Sequence, residues 1–325
     1  MQLRDHMKRN EETRVIRTVD PTPPFDFALS SHILADGDPQ IAHYDGSDCR
    51  QVLRVGDKLL LATVASAGSV EAPQLLVTFA SDHALTSSDI IAAHKIISSV
   101  FNAQLDVSPF YEATRHDPIM VHLTGKLRGL KNPATATVFD ALFDSIVEQQ
   151  ISLTVAHVLQ RRVIKTFGDV LLVNGDQYYA FPTPEQLALA SVESLRRCGL
   201  SRRKAEYITG IAQLIAAREV DLEGLRQYSD VQDILEHLCK LRGVGAWTAE
   251  LTAIRSLNRF DVIPADDLGL RRWMAHYYCH DRRITSAKAR DIAERWGKWK
   301  GLASYYVVVA GLLNIEAKAQ DLTRL

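Results

Sequence analysis

The sequence predicts an α+β protein: an N-terminal antiparallel sheet with one covering helix, followed by an all-α region that carries a helix-hairpin-helix. Three observations predict it. β-forming residues cluster between residues 51 and 81, broken by turn signals at Gly56-Asp57 and Ala67-Gly68-Ser69. From Asp117 onward apolar residues recur at helical spacing. Within that helical stretch, Gly243-Val244-Gly245 joins two amphipathic segments and is too short to be anything but a tight hairpin. Residues 1–112 are therefore assigned to the α+β domain and residues 113–325 to the helical region.

In chain order, residues 1–14 are polar and carry no assigned chemistry. Pro21 to Pro24 punctuate the entry to FDFALSSHIL. Val52, Leu53, Val55, then Leu59, Leu60, Leu61, Val64, then Leu75, Leu76, Val77 and Phe79 supply the strands. A helix over residues 89–101 turns Ile90, Ile91, His94, Ile97 and Val100 toward the sheet. Pro133 opens a long helix through Phe139, Phe143, Ile146 and Val147, which EQQIS (residues 148–152) interrupts before Val155, Val158, Leu159 and Val163. Thr183-Pro184-Glu185-Gln186 combines a capping box with Pro at the first helical position. Ser201 starts a helix carrying Ala205, Ile208, Ile211, Ala212 and Ile215.

Ser229 with Gln232 reads as a capping box for a helix that begins near Val231, presents Ile234, Leu235, Leu238 and Leu241, and ends at Gly243. A second helix spans residues 246–257. After Val262-Ile263-Pro264, Asp266 is the expected N-cap and Asp267 the first-turn acid of a helix through Leu268, Leu270, Trp273 and Met274. Thr285 or Ser286 caps a helix running to Trp296, and residues 302–315 are apolar enough to form a buried last helix.

Composition narrows the function classes. Hydrophobic residues make up 46% and charged residues 24% of the chain, as in a soluble globular protein. No run of eighteen apolar residues exists and the N-terminus has no apolar segment, so neither a membrane span nor a secretion signal is expected, and a cytoplasmic location is (nuclear for a eukaryotic source). Cys49, Cys198, Cys239 and Cys279 are scattered without C-x-x-C, which points to free thiols in a reducing compartment. His276, Cys279 and His280 have helical metal-ligand spacing but no evident fourth ligand. H-E-x-x-H, Walker A and deaminase zinc patterns are absent. The net charge of −1 hides a gradient, from an acidic excess of five over residues 1–110 to a basic excess of four over residues 201–325, the segment with the hairpin.

A hairpin followed at once by a helix leaves first-turn N–H groups and a positive dipole end facing outward, an arrangement that suits phosphate. LRGVGAWTAEL (residues 241–251), with Asp267 twenty residues after Trp247, resembles the helix-hairpin-helix (HhH-GPD) DNA glycosylase superfamily, most closely its 3-methyladenine DNA glycosylase II (AlkA-type) branch. EQQIS, FPTPEQLA (181–188), GLSRRKAEYI (199–208) and AERWGKWKGLASYY (293–306) resemble further motifs of that branch in its order, so the resemblance runs from about residue 110 to 315.

The resemblance implies two helical subdomains around an active-site cleft. It also implies a monofunctional enzyme of base excision repair that flips out and hydrolyses alkylated purines of the 3-methyladenine and 7-methylguanine type, leaving an abasic site. Asp267 matches the catalytic acid, an ionised carboxylate beside a sugar that gains positive charge as the base departs; without the resemblance, paired acids at a helix start read first as capping residues. Trp247 stands where strand-cutting relatives carry a Schiff-base Lys. The base pocket falls to Trp247, Leu251, Val308 and Tyr305, with Leu251 and Val308 replacing the aromatic residues frequent in the branch. Gln150 matches the residue that fills the gap left by the flipped base.

DNA backbone contacts are expected from the amides of Gly243, Gly245 and Ala246 and from Arg202, Arg203 and Lys204. No catalytic cofactor is implied; a structural Na+ or K+ held by the carbonyls of Cys239, Leu241 and Val244 is. The expected partner is double-stranded DNA with damaged bases, bound by a monomer without a protein partner. The competing readings are a non-catalytic helix-hairpin-helix DNA-binding protein and a glycosylase for another damaged base.

Overall fold

A computed structural model describes residues 13–35 and 37–316. Strands β1 (Thr13–Val19), β2 (Ala42–Tyr44), β3 (Asp48–Val55), β4 (Lys58–Ser66) and β5 (Leu75–Ser81) form one antiparallel sheet in the order β1-β5-β4-β3-β2. Between β1 and β2 lies the short helix α1 (Phe27–Ser31) with a 3-10 turn after it. Gly56-Asp57 makes the tight β3–β4 turn, closed by the pairing Val55↔Lys58. Helix α2 (Ser87–Val100) starts at a capping box between Thr86 and Asp89. It lays Ile90, Ala93, Ile97 and Val100 on Leu60, Val64, Val77 and Phe79 of the sheet. Ile91, expected on this face, is 70% exposed, because the 90-93-97-100 stripe points about one residue's rotation away from it.

The sheet core ends at Ala103 and the next core begins at Val107. Helices α3 (Ser108–Thr114) and α4 (Pro118–Lys126) belong to the second core. Pro133 does not open the following helix. Residues 133–137 stay outside the helix, because the Ala134 N–H donates to Val100 O (2.8 Å) and the Thr135 N–H to Arg255 O (2.9 Å). Helix α5 (Val138–Glu148) starts at a Thr137/Asp140 capping box instead. Helix α6 (Leu153–Phe167) follows the EQQIS interruption, capped by Ser152.

Strands β6 (Val170–Val173) and β7 (Asp176–Tyr179) then form a hairpin through Asn174-Gly175, both at positive φ (53° and 88°), the geometry of a type I′ turn. Leu171, Val173 and Ala180 pack on Leu59, Leu61 and Ala80, so the sheet is buried on both faces. The remaining helices are α7 (Pro184–Ala188), α8 (Val192–Arg197), α9 (Arg202–Ala216), α10 (Val231–Cys239), α11 (Ala246–Leu257), α12 (Leu268–Cys279), α13 (Ser286–Ala293) and α14 (Lys300–Leu312).

Two helical cores result. One gathers α5, α6, α9, α10 and α11; the other gathers α3, α4, α12, α13 and α14. Helix α11 contributes Ala249 and Ala253 to the first and Ile254 to the second, and so stands between them. Helix α14 is seated by two glycines. A Cβ at Gly301 would come within 3.1 Å of Ile254 and Phe260, and one at Gly311 within 2.1 Å of the Trp273 ring. Lys131 ties the sheet to the helical region, its buried ammonium donating to Thr22 O and Ala103 O at 2.8 Å each.

Candidate active site and DNA interface

Helix α10 is capped by Asp230, which accepts from the Gln232 N–H at 2.8 Å, and not by Ser229 as the sequence suggests. The helix ends at Cys239, and the turn to α11 closes with the Val244 N–H on Leu241 O (3.1 Å). Gly243 sits at φ +92°, and a Cβ there would lie 2.2 Å from the Tyr207 ring, so both conformation and space demand glycine. Gly245 is extended (φ −102°) and open around its Cα, so its lack of a side chain serves access and not backbone strain. No side chain caps α11, which leaves its first-turn N–H groups directed at solvent beside exposed Gly245 and Ala246.

The turn between α5 and α6 lies next to this hairpin. Gln149 Nε2 donates to Gly243 O (2.9 Å) and to Thr248 Oγ1 (3.0 Å). Gln150 is exposed at the tip with φ +58°, a left-handed conformation uncommon outside glycine and held here by its surroundings. Lys204, expected on DNA, instead turns inward. Its ammonium donates to Val147 O (2.8 Å) and Gln149 O (2.7 Å), the orphan carbonyls at the end of α5, and burial pushes its pKa down. Arg202 and Arg203 remain exposed at the start of α9.

Asp267, not Asp266, is the N-cap of α12. Its Oδ1 accepts the Leu270 N–H at 2.7 Å, and its own N–H closes a turn on Pro264 O at 2.9 Å. The helix thus begins one residue later than the paired acids suggest. Asp266 is exposed and engaged elsewhere, accepting from Ser286 Oγ at 2.5 Å. The second oxygen of Asp267 accepts the indole N–H of Trp247 at 3.2 Å. Two N–H donors therefore fix the carboxylate from opposite sides. Arg290 braces the approach, bonding Glu250 of α11 at 2.9 Å and Ile263 O at 3.2 Å.

Trp247 and Leu251 lie one turn apart on α11, and both are half-buried. Tyr305 and Val308 lie one turn apart on α14, also half-buried, while Tyr306 is core and donates to Leu130 O at 2.7 Å. The Tyr305 hydroxyl, raised by burial, senses the Arg255 charge from across the cleft. Of the four expected pocket residues, Trp247 is joined to Asp267 by its indole N–H, and Ile254 of the same helix lies against Gly301 at the start of α14, the helix of Tyr305 and Val308. Sequence reading missed three polar residues between α5 and α11: Arg255, Glu148 and Asp144. Their signal was acids at four-residue intervals on an otherwise apolar α5. His276, Cys279 and His280 do not gather: His276 bonds Asp281, and His280 ends α12 at φ +51°. Among the described residues no group of three or more His, Cys, Asp or Glu is placed to hold a metal ion.

The family model for HhH-GPD superfamily base excision DNA repair proteins matches residues 143–298, which contain the α5–α6 turn, the hairpin and Asp267. The DNA-3-methyladenine glycosylase of Bacillus subtilis is 32% identical over 213 residues, 66% of this chain and 70% of the relative. This chain belongs to the HhH-GPD superfamily.

The fold of this HhH-GPD glycosylase matches that of the 3-methyladenine DNA-glycosylase from Archaeoglobus fulgidus with a TM-score of 0.81 at 26% identity, over 92% of this chain and 99% of that one. The 3-methyladenine DNA glycosylase of Schizosaccharomyces pombe in complex with abasic DNA matches at 27% identity and a TM-score of 0.51, over 62% of this chain and 99% of that one. The chain is a DNA glycosylase, and DNA is its partner.

Proposed function

We propose that this glycosylase is monofunctional, excises alkylated purines such as 3-methyladenine and 7-methylguanine, and leaves an abasic site. The observation that carries this reading is the 3.2 Å hydrogen bond between Trp247 and Asp267. The residue that holds the carboxylate is an indole, which cannot attack C1′, at the position where the resemblance gives strand-cutting relatives an amine. Asp267 stabilises the positive charge that grows on the sugar as the base leaves and orients the attacking water. The names of the relatives support the alkylated-purine class.

Gln150 fills the gap in the stack, and the hairpin amides of Gly243, Gly245 and Ala246, with Arg202 and Arg203, grip the backbone. Main-chain carbonyls of Cys239, Leu241 and Val244 would hold a monovalent cation at the hairpin. Hard oxygen donors suit such an ion, and the Leu241 carbonyl, which accepts one hydrogen bond from Val244, keeps a second lone pair. Its charge would favour the nearby phosphate.

Single-turnover assays on methylated duplex DNA test the reading, with free base and strand nicks scored separately. Release of methylated purines without nicking before alkali is expected. Nicking with a borohydride-trapped protein–DNA adduct would overturn the monofunctional mechanism, and DNA binding without base release would leave a binding protein only.

A further inference from the structure

The cleft has a polar wall that stacking on the base does not require. Helix α5 buries Leu142, Phe143, Ile146 and Val147, yet carries Asp140, Asp144 and Glu148 along one stripe. Glu148 is buried, and its two oxygens meet one nitrogen of Arg255 at 3.0 and 2.9 Å. Arg255 extends the α11 stripe of Trp247 and Leu251 by one more turn, and its charge acts on Asp144, Asp267 and Tyr305 alike. Asp144 differs from its neighbours. It sits one turn before Glu148 on the same stripe, half-buried and within reach of the Arg255 charge, and its carboxyl has neither a hydrogen bond nor an ion pair at contact distance among the described residues.

We propose that Asp144 is the specificity-determining residue of this pocket, reading the edge of the flipped purine through a paired hydrogen bond in which one carboxyl oxygen accepts an N–H and the other donates to the adjacent ring atom. The proposal rests on the glycosylase reading above and adds to it the group that recognises the base. With Leu251 and Val308 as aliphatic walls, stacking is limited to Trp247 and Tyr305, and discrimination passes to hydrogen bonds. A polar group that the bound base covers discriminates strongly, because a base that cannot pair with it leaves it unsatisfied.

Protonation of Asp144 follows from what surrounds it. Burial and the neighbouring Glu148 raise its carboxyl well above the ordinary range, Asp140 adds to the rise, and Arg255 of α11 offsets part of it. Arg255 in turn interacts more strongly with Glu148 and Asp144 than with Asp267, and its charge also reaches Tyr305. A carboxylic acid that keeps its proton is both donor and acceptor, the complement of an amino or N–H group beside a ring nitrogen or carbonyl on a purine.

The test compares wild type with Asp144→Asn and Asp144→Leu in single-turnover release of 3-methyladenine and 7-methylguanine from methylated duplex DNA between pH 5.5 and 8.5, with affinity for abasic DNA measured alongside. Asparagine keeps one donor and one acceptor but does not titrate; leucine keeps neither. Asp144→Leu is expected to lose about 10- to 100-fold in release, the range set by one unsatisfied polar pairing. Asp144→Asn is expected to stay within about threefold of wild type at pH 6, the span of a hydrogen bond weakened by a few tenths of its net worth, and to lose the decline that wild type shows as pH rises. Abasic-DNA affinity is unchanged in both. Full activity of Asp144→Leu across the range, or equal losses in both variants together with weakened abasic-DNA binding, overturns the proposal while the glycosylase reading stands. Absence of release by wild type itself defeats that reading, and the proposal with it.

Discussion

Replacing Asp267 by Asn removes one charge and little else. Asn is as good an N-cap as Asp, so the bond from the Leu270 N–H is retained and α12 keeps its start. What changes is the oxygen that now accepts the Trp247 indole N–H, which becomes an amide NH2 or loses its charge. A carboxylate about 4 Å from a developing sugar cation, at an effective dielectric of about 20, stabilises it by about 4 kcal/mol. At about 1.4 kcal/mol per decade this is a loss of about 10³ in the single-turnover rate. Thermal stability is expected to stay near wild type for Asp267→Asn and to fall by about 1 kcal/mol for Asp267→Ala, which also loses the cap. The assay is base release from methylated duplex under enzyme excess, with a melting curve for each variant. A folded Asp267→Asn protein that excises within tenfold of wild type would refute the assignment, since no other change in the variant could offset the missing charge.

Three further outcomes follow from the same geometry. Gly243→Ala combines an unfavourable left-handed φ with a Cβ 2.2 Å from Tyr207, so DNA affinity is expected to fall at least tenfold with a lower melting temperature, read by fluorescence anisotropy and calorimetry. Lys204→Met strands the carbonyls of Val147 and Gln149 and is expected to cost about 2 kcal/mol in denaturant unfolding. It should also slow base release, while loss of affinity without loss of stability would return Lys204 to the DNA. Lys131 has its pKa lowered to about 8 by burial, against 10.5 for a free lysine. Between those values the unfolded chain binds the extra proton, so the stability of wild type relative to Lys131→Met should rise with pH, by up to about 1.4 kcal/mol per unit between pH 8 and 10; a flat difference in urea unfolding would refute it.

The sequence made the hairpin legible because two glycines and the acid twenty residues after Trp247 are local signals. What stayed hidden depends on partners distant in the chain. Pro133 looks like a helix start, yet residues 133–137 are claimed by Val100 and Arg255. Ser229 and Asp230 both suit capping, and only the reach of Asp230 to the Gln232 N–H decides between them. Leu59, Leu60 and Leu61 form a run without alternation because β6 and β7 cover the second face of the sheet, although Asn174-Gly175 was a readable turn signal for that hairpin. β1 went unseen because Arg14 and Arg17 break the apolar pattern of a strand at the sheet edge. In the cleft, Lys204 reads as one more base in a charge run, and only the position of α5 shows that its ammonium is consumed by main-chain carbonyls.

Grip and chemistry are joined in α11. Its N-terminus is the end proposed to meet phosphate, its first-turn Trp247 holds Asp267, and its Glu250 is tied through Arg290 to the segment that leads into α12. Ile254 packs against Gly301 at the start of α14, which carries Tyr305 and Val308 into the cleft. On the proposed reading, a phosphate seated on the hairpin amides would be set at a fixed reach from the Asp267 carboxylate, through one helix and not through a loop. Gln149 extends the same frame to the wedge by bonding Gly243 and Thr248. On the proposed reading, the groups that would grip the strand, fill the stack and stabilise the sugar cation keep their spacing as the base turns out, and a single well-placed carboxylate would act in the transition state without a preceding rearrangement.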